Sequence, residues 1–233
     1  MADVKLGVMQ LVHARPDLLP AIWRNMRQLR VQTHLQVVLS RPTREVLDKV
    51  IALENKPTSK LTVEVLEAPF SPLDDTERFR ELRRWQHERL PEDCDYGVLW
   101  DDDHLLEYPD LCAKLLRSGA WDLLYATKLF FWDSPAQFTT HIPTHRSVFF
   151  FRCLPADAFP LDRTIHAPAR IHDTGKKVGD LPGYLLDYGY MTPFDRERCW
   201  NDYKRVGKID PATLALVSPP DLHEWRGLNP YGA

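Results

Sequence analysis

The first hundred residues constrain this chain most. Four apolar runs, 4–12 (VKLGVMQLV), 34–40 (HLQVVLS), 60–68 (KLTVEVLEA) and 95–100 (DYGVLW), alternate with three stretches of helical periodicity. Arg15-Pro16-Asp17 closes the first run, and Leu18, Ile22, Met26 and Leu29 then recur at helical spacing. Arg41-Pro42 closes the second, and Thr43 stands as an N-cap before a helix carrying Val46, Leu47, Val50, Ile51 and Leu53. The third stretch, SPLDDTERFRELRRWQHERL, is a charged helix with Phe79, Leu82, Gln86 and Leu90 on one side. Connections this long cross over instead of forming hairpins. The expected fold class is therefore α/β, with a mostly parallel central sheet flanked by helices and ligands at the carboxyl ends of its strands.

The remainder reads differently. Residues 121–133 and 145–154 look like short strands of a mixed, aromatic-rich layer. Residues 155–183, with Pro155, Pro160, Pro168 and Pro182, read as long loops. A helix is expected over 193–209, with Pro193 in its first turn. The tail, 218–233, carries Pro219, Pro220 and Pro230 and reads as a surface-hugging segment after one domain spanning 1–217.

Several function classes fall away. The four cysteines form no CxxC pair, which excludes a zinc ribbon or thioredoxin-type centre, and scattered thiols fit a reducing cytoplasm. The N-terminus, MADVKLGVMQLVHARP, reads as a first strand and not as a signal peptide. No apolar run approaches the roughly 18–20 residues of a membrane span, so a cytoplasmic location is expected. GxGxxG, a P-loop and GxSxG are all missing.

The strongest chemical signal is YGVLWDDDHLL. Three consecutive carboxylates at the end of an apolar strand repel one another unless solvated or neutralised. Residues i and i+2 of an extended segment point to the same side, so Asp101 and Asp103 can approach one cation together. Mg²⁺ or Mn²⁺ held this way takes its other ligands from substrate phosphates. A polar turn ahead of the next helix is the blander reading, weakened by the strand and three βα units that precede the acids.

The strand-borne Asp101-Asp102-Asp103, the opening GVMQLVHARPDLLPAI and the C-terminal YLLDYGYMTPFDRERCWNDYKRVGKIDP together resemble the GT-A glycosyltransferases, family-2-like members above all, over roughly residues 4–211. The resemblance implies a GT-A (nucleotide-diphospho-sugar transferase) fold, with a nucleotide-binding half over 1–104 and an acceptor half over 105–217. It implies a nucleotide-sugar donor, a UDP- or GDP-sugar, whose diphosphate is bridged by Mn²⁺ or Mg²⁺ acting as a Lewis acid. Asp101 and Asp103 would hold the metal, while Asp102 would orient the donor ribose or support its neighbours. Many relatives complete the metal shell with a histidine where this chain reads Leu186-Asp187-Tyr188. Asp187 is then the candidate third ligand, with His172 or His166 as alternatives. For the base that deprotonates the acceptor hydroxyl, Asp173 is the first candidate, with Asp162 and Asp180 as alternatives; a retaining enzyme needs none. Donor contacts are expected from Gln10, Val12, His13 and Arg15 after the first strand, from Ser40 and Arg41 after the second, and from Arg84 on the helix before the acids. Trp132-Asp133 at a strand end suits a sugar-packing wall.

Two acceptor classes stay open. The arginine-rich helix and short core resemble phage-type transferases that decorate hydroxymethylated pyrimidines in DNA, including those associated with oxygenases that oxidise 5-methylcytosine. That reading implies a 5-hydroxymethylpyrimidine acceptor and, for a phage-encoded chain, the host cytoplasm. Arg80 and Arg83 would then contact the phosphate backbone, although a net charge of −3 gives no global footprint for nucleic acid. Cell-envelope saccharides, small molecules or proteins are the other acceptors. A Mg²⁺-dependent nucleotidyltransferase and a non-catalytic sugar-binding domain are the competing classes.

Overall fold

The computed structural model describes residues 3–12, 15, 17–39, 43–54, 60–66, 76–139, 146–153, 175–205 and 221–231, with backbone alone at 54, 76–80 and 202–205. The parallel half forms as its apolar runs require. β1 (Lys5–Val12), β2 (Gln32–Leu39), β3 (Leu61–Leu66) and β4 (Tyr96–Leu99) pair in parallel in the order β3-β2-β1-β4. α1 (Leu19–Gln28), α2 (Arg44–Glu54) and α3 (Thr76–His87) are the crossovers. Thr43 caps α2 as expected, its Oγ1 accepting from the Val46 N–H at 3.3 Å.

Alternation along β1 assigns the helices to faces. Leu6, Val8 and Val12 join one core with Ile22 and Trp23 of α1 and Val46 and Val50 of α2. Leu11 packs with Leu82 of α3 on the opposite face, and Met9 packs with Leu90 just beyond α3. The chain moves β1→β2→β3 with helices on one side and returns past β1 to β4 over the other. The carboxyl ends of β1 and β4 thus flank a topological switch point, where open α/β sheets bind ligands.

Beyond β4 the sheet becomes mixed. β5 (His104–Leu106) leads to α4 (Pro109–Ser118), β6 (Leu123–Phe131), β7 (Gln137–Thr139), β8 (Arg146–Arg152), β9 (Val178–Asp187), α5 (Pro193–Arg205) and β10 (Leu222–Glu224). β8 lies antiparallel between β4 and β6, and β9 runs parallel to β6 and antiparallel to β5. β4 and β8 approach closely because Gly97 lies under the Phe151 ring, where any Cβ would collide.

One expectation is corrected. Residues 178–183, read as loop, are the first six of the ten residues of β9. Gly179 packs on the Trp121 ring, and Gly183, at φ +72°, turns the strand where its register with β6 shifts. Gly and Pro here mark a bulged strand instead of its absence. The tail contributes β10, an exposed strand that extends the sheet beyond β7 and sets Trp225 edge-on to Phe131 at 5.7 Å. α5 starts at Pro193 as expected, behind a reciprocal cap: Thr192 Oγ1 accepts from the Asp195 N–H at 3.1 Å, and Asp195 Oδ2 accepts from the Thr192 N–H at 3.1 Å. No helix among the described residues is long and apolar enough to cross a membrane.

Candidate metal and donor site

The acids that follow β4 do not continue as a strand. The chain turns at Asp102-Asp103 and enters β5, whose first residue, His104, lies opposite Asp187 on β9. Tyr188 N–H donates to the Asp103 carbonyl at 2.9 Å, and Trp100 Nε1 donates to the His104 carbonyl at 2.8 Å, fixing the turn from both sides. Gly189 completes the enclosure. Its N–H donates to Asp187 Oδ1 at 3.0 Å, and a Cβ there would sit 2.5 Å from Asp103 Oδ2.

Two basic side chains converge on these acids. Arg83 of α3 is buried and donates to Asp101 Oδ1 at 2.7 Å, to the Met9 carbonyl at 3.1 Å and to Gln86 Oε1 at 3.1 Å. Lys128 of β6 places Nζ 3.1 Å from Asp187 Oδ2 and 2.8 Å from His104 Nε2. His104 Nε2 is itself 3.1 Å from Asp187 Oδ2 and 3.5 Å from Asp103 Oδ1, and Nδ1 is 3.7 Å from Asp101 Oδ2.

The charges sort unevenly. Burial pushes the Asp101 and Asp187 carboxyls up, but Arg83 at the first and Lys128 with His104 at the second more than offset it, so both are held below the usual range. Burial likewise disfavours the Lys128 ammonium, and Asp187, Asp101 and Asp103 outweigh it, so the lysine stays charged. Asp103 Oδ1 faces the His104 ring, 3.5 Å from Nε2 and shared with Asp187, and the ring's downward pull is outweighed. Burial, assisted by Asp187, Asp102 and Asp101, pushes its carboxyl up to about 7.

The residues present fit a divalent cation. Asp101, Asp103 and His104 offer ligand atoms within 4.8 Å of one another. Asp103 Oδ1 and His104 Nδ1 are buried and have no hydrogen-bond partner, the state of donor atoms that a metal would satisfy. Two carboxylates and an imidazole suit Mn²⁺. Asp187, expected as a third ligand, has Oδ1 held by Gly189 and Oδ2 by His104 and Lys128.

The other expected residues scatter. Asp102 is buried, and its Oδ2 accepts from the Arg15 N–H at 3.3 Å. Gln10 is buried facing α1, its Oε1 accepting from Trp23 Nε1 at 3.0 Å, and the Val12 side chain lies in the core. The buried Arg15 guanidinium joins the end of β1 to α5 and the tail through the Tyr188 carbonyl (2.8 Å), Asp195 (3.0 Å), Asp17 (2.8 Å) and the Tyr231 hydroxyl (2.8 Å). Arg84 is exposed, while its neighbour Arg83 turns inward. Trp132 is buried beneath the Arg196 guanidinium at 4.2 Å, so its face is covered and offers no sugar wall. Asp180 pairs with Arg146 at 2.6 Å and stands opposite Tyr125, five positions along β6 from the partner of Asp187, which is about 17 Å along a strand. His13, Ser40, Arg41, Asp162, His166, His172 and Asp173 lie outside the described residues.

Sequence reasoning missed Arg83, His104 and Lys128 as parts of the acid cluster. A lone lysine in the apolar run LLYATKLFF was a readable signal, because a buried ammonium needs a counter-charge.

Solved structures answer the same architecture. The mannosyltransferase PcManGT from Pyrobaculum calidifontis, in complex with GDP-Man and Mn²⁺, superposes with a TM-score of 0.53 at 14% identity, over 91% of this chain and 67% of that one. S. aureus TarS 1-349 in complex with UDP-GlcNAc gives 0.54 at 11% identity, over 86% of this chain and 65% of that one. The fold is GT-A. Against the longer S. aureus TarS chain the TM-score is 0.51, and the match spans only 41% of that protein. No family model and no curated protein sequence matches the chain.

Proposed function

We propose that this chain is a divalent-metal-dependent glycosyltransferase that takes a sugar from a nucleotide-sugar donor. One observation carries the reading: Asp101, Asp103 and His104 converge, with unsatisfied buried ligand atoms, at the switch point of a GT-A fold. Asp101 and Asp103 with His104 would hold Mn²⁺ or Mg²⁺, which would supply Lewis-acid stabilisation of the departing nucleoside diphosphate. Arg83 fixes the Asp101 carboxylate, and Asp187 orients the His104 ring from behind, as outer carboxylates do for metal-bound imidazoles. Asp102 is placed beside the end of β1, where it can meet the donor ribose. Asp173 is the proposed acceptor base, for an inverting reaction. The acceptor is a hydroxyl compound; Arg83, expected on a phosphate backbone of DNA, is instead buried against Asp101, and the Arg80 side chain lies outside the described residues.

A thermal-shift panel of UDP, GDP, UDP-GlcNAc and GDP-Man, each with and without Mn²⁺, tests the reading. A ligand at about 100 times its Kd adds about 2.7 kcal/mol to stability. The expected result is stabilisation by one nucleotide family only when metal is present, abolished by Asp103→Ala. Identical melting curves with and without Mn²⁺ for every nucleotide would overturn the proposal.

A further inference from the structure

Lys128 is the feature that the metal site does not itself require. It lies on β6 opposite Leu185 of β9, and its side chain, 22% exposed, extends into the acid cluster. There its Nζ donates to Asp187 Oδ2 at 3.1 Å and lies 2.8 Å from His104 Nε2. An ammonium is a compact point charge on a flexible four-carbon stem, so it can leave one anionic partner for another within a few ångströms. A divalent ion ligated by Asp101, Asp103 and His104 would share a ring with this ammonium, and the two cations repel each other across a partly buried site.

We propose that Lys128 is a tethered counter-ion that occupies the acid cluster in the metal-free protein, weakens its affinity for a free divalent cation, and so makes metal entry depend on the donor diphosphate. The inference rests on the proposed donor site and assigns its order of filling. A diphosphate brings negative charge beside the cluster, and the ammonium can exchange Asp187 for a phosphate oxygen as metal enters. The lysine is thus a positioning residue, acting through the occupancy of the metal ligands. A purely structural lysine would hold β6 to β9 through Asp187 and have no bearing on how nucleotide and metal depend on each other.

The test is Mn²⁺ binding, read by the loss of the free-ion EPR signal, with and without the nucleoside diphosphate that the thermal panel selects. Wild-type protein should bind Mn²⁺ weakly alone and at least tenfold more tightly with the nucleotide. Lys128→Met and Lys128→Gln should each bind Mn²⁺ alone at least tenfold more tightly than wild type, and the gain from nucleotide should shrink accordingly. Lys128→Arg keeps the charge and should stay within about threefold of wild type. Using two neutral variants guards against one that misfolds, and near-identical circular dichroism spectra qualify each. Neutral variants that bind Mn²⁺ no better than wild type, while all bind it with nucleotide, would overturn the role of Lys128 and leave the donor site standing. Absence of Mn²⁺ binding in every protein, with or without nucleotide, would overturn both.

Discussion

Replacing Asp103 by Asn should stabilise the metal-free protein at neutral pH, the opposite of the usual effect of removing a buried charge. The carboxyl is pushed up to about 7 from an ordinary value of 3.8, a gap of 3.2 (7 − 3.8), and at about 1.4 kcal/mol per pH unit the ionised group costs up to ~4 kcal/mol at pH 8. Its side chain is 18% exposed, and movement or water entry will relieve part of this, so a gain of about 2 kcal/mol is expected for Asp103→Asn. For a domain of this size, that is a rise in Tm of roughly 4–8 °C. The sign follows from proton counting. Between about pH 4 and pH 7 the folded chain keeps a proton on Asp103 that the unfolded chain has released, so wild-type stability falls as pH rises through this window and the loss is complete above the folded value. Asparagine carries no such proton. Urea unfolding of both proteins in EDTA should give a clearly smaller gap at pH 4.5 than at pH 8, where it is largest. Saturating Mn²⁺ should reverse the order, since only wild type keeps the ligand oxygen. A variant no more stable than wild type at pH 8 in EDTA, or a gap independent of pH, would refute the reasoning.

Arg83→Met removes the cation that holds Asp101 and one of the two hydrogen bonds to the Met9 carbonyl, leaving that from the Trp100 N–H. Breaking a buried pair this way should cost about 3–5 kcal/mol in urea unfolding. Lysine at 83 should recover only part, because an ammonium cannot span three acceptors as the guanidinium fork does. Gly97→Ala drives a methyl group into the Phe151 ring and should cost about 1–3 kcal/mol in the same assay, partly restored by the second change Phe151→Leu. Thr192→Ala removes half of the reciprocal cap on α5 and should lower stability by about 1 kcal/mol, seen as a lower Tm.

What could be read from sequence follows from the range of each signal. The parallel half was legible because each apolar run is followed by a helix-period stretch long enough to cross over, and β1 to β4 appear where those runs stand. β7 and β10 have three residues each, too few for any period to show. Asp101 and Asp103 announced themselves as charges at the end of an apolar strand. His104 was hidden because DDDH reads as one continuous segment until the turn at 102–103 reverses it. Arg83 was recoverable in principle: it falls between Leu82 and Gln86 on the helix side that carries Phe79 and Leu90, whereas Arg84 lies off it. Asp187 was visible as a carboxylate, yet its partners Lys128 and His104 are 59 and 83 residues away in sequence, a distance no local pattern reports.

The site's charge arrangement gives these partners a common logic. Arg83 answers Asp101 and Lys128 answers Asp187, each by a direct bond, and Asp103 is left with the His104 ring that it shares with Asp187. That is why the proton collects on Asp103 and why a divalent ion would displace it. Metal affinity should therefore rise with pH through neutrality, because the ion must expel the protons that Asp103 and His104 both hold above their ordinary range. Lys128 and the proton on Asp103 restrain the same event from two sides, one by charge and one by occupancy of a ligand oxygen. A donor diphosphate relieves the first, and neutral pH relieves the second.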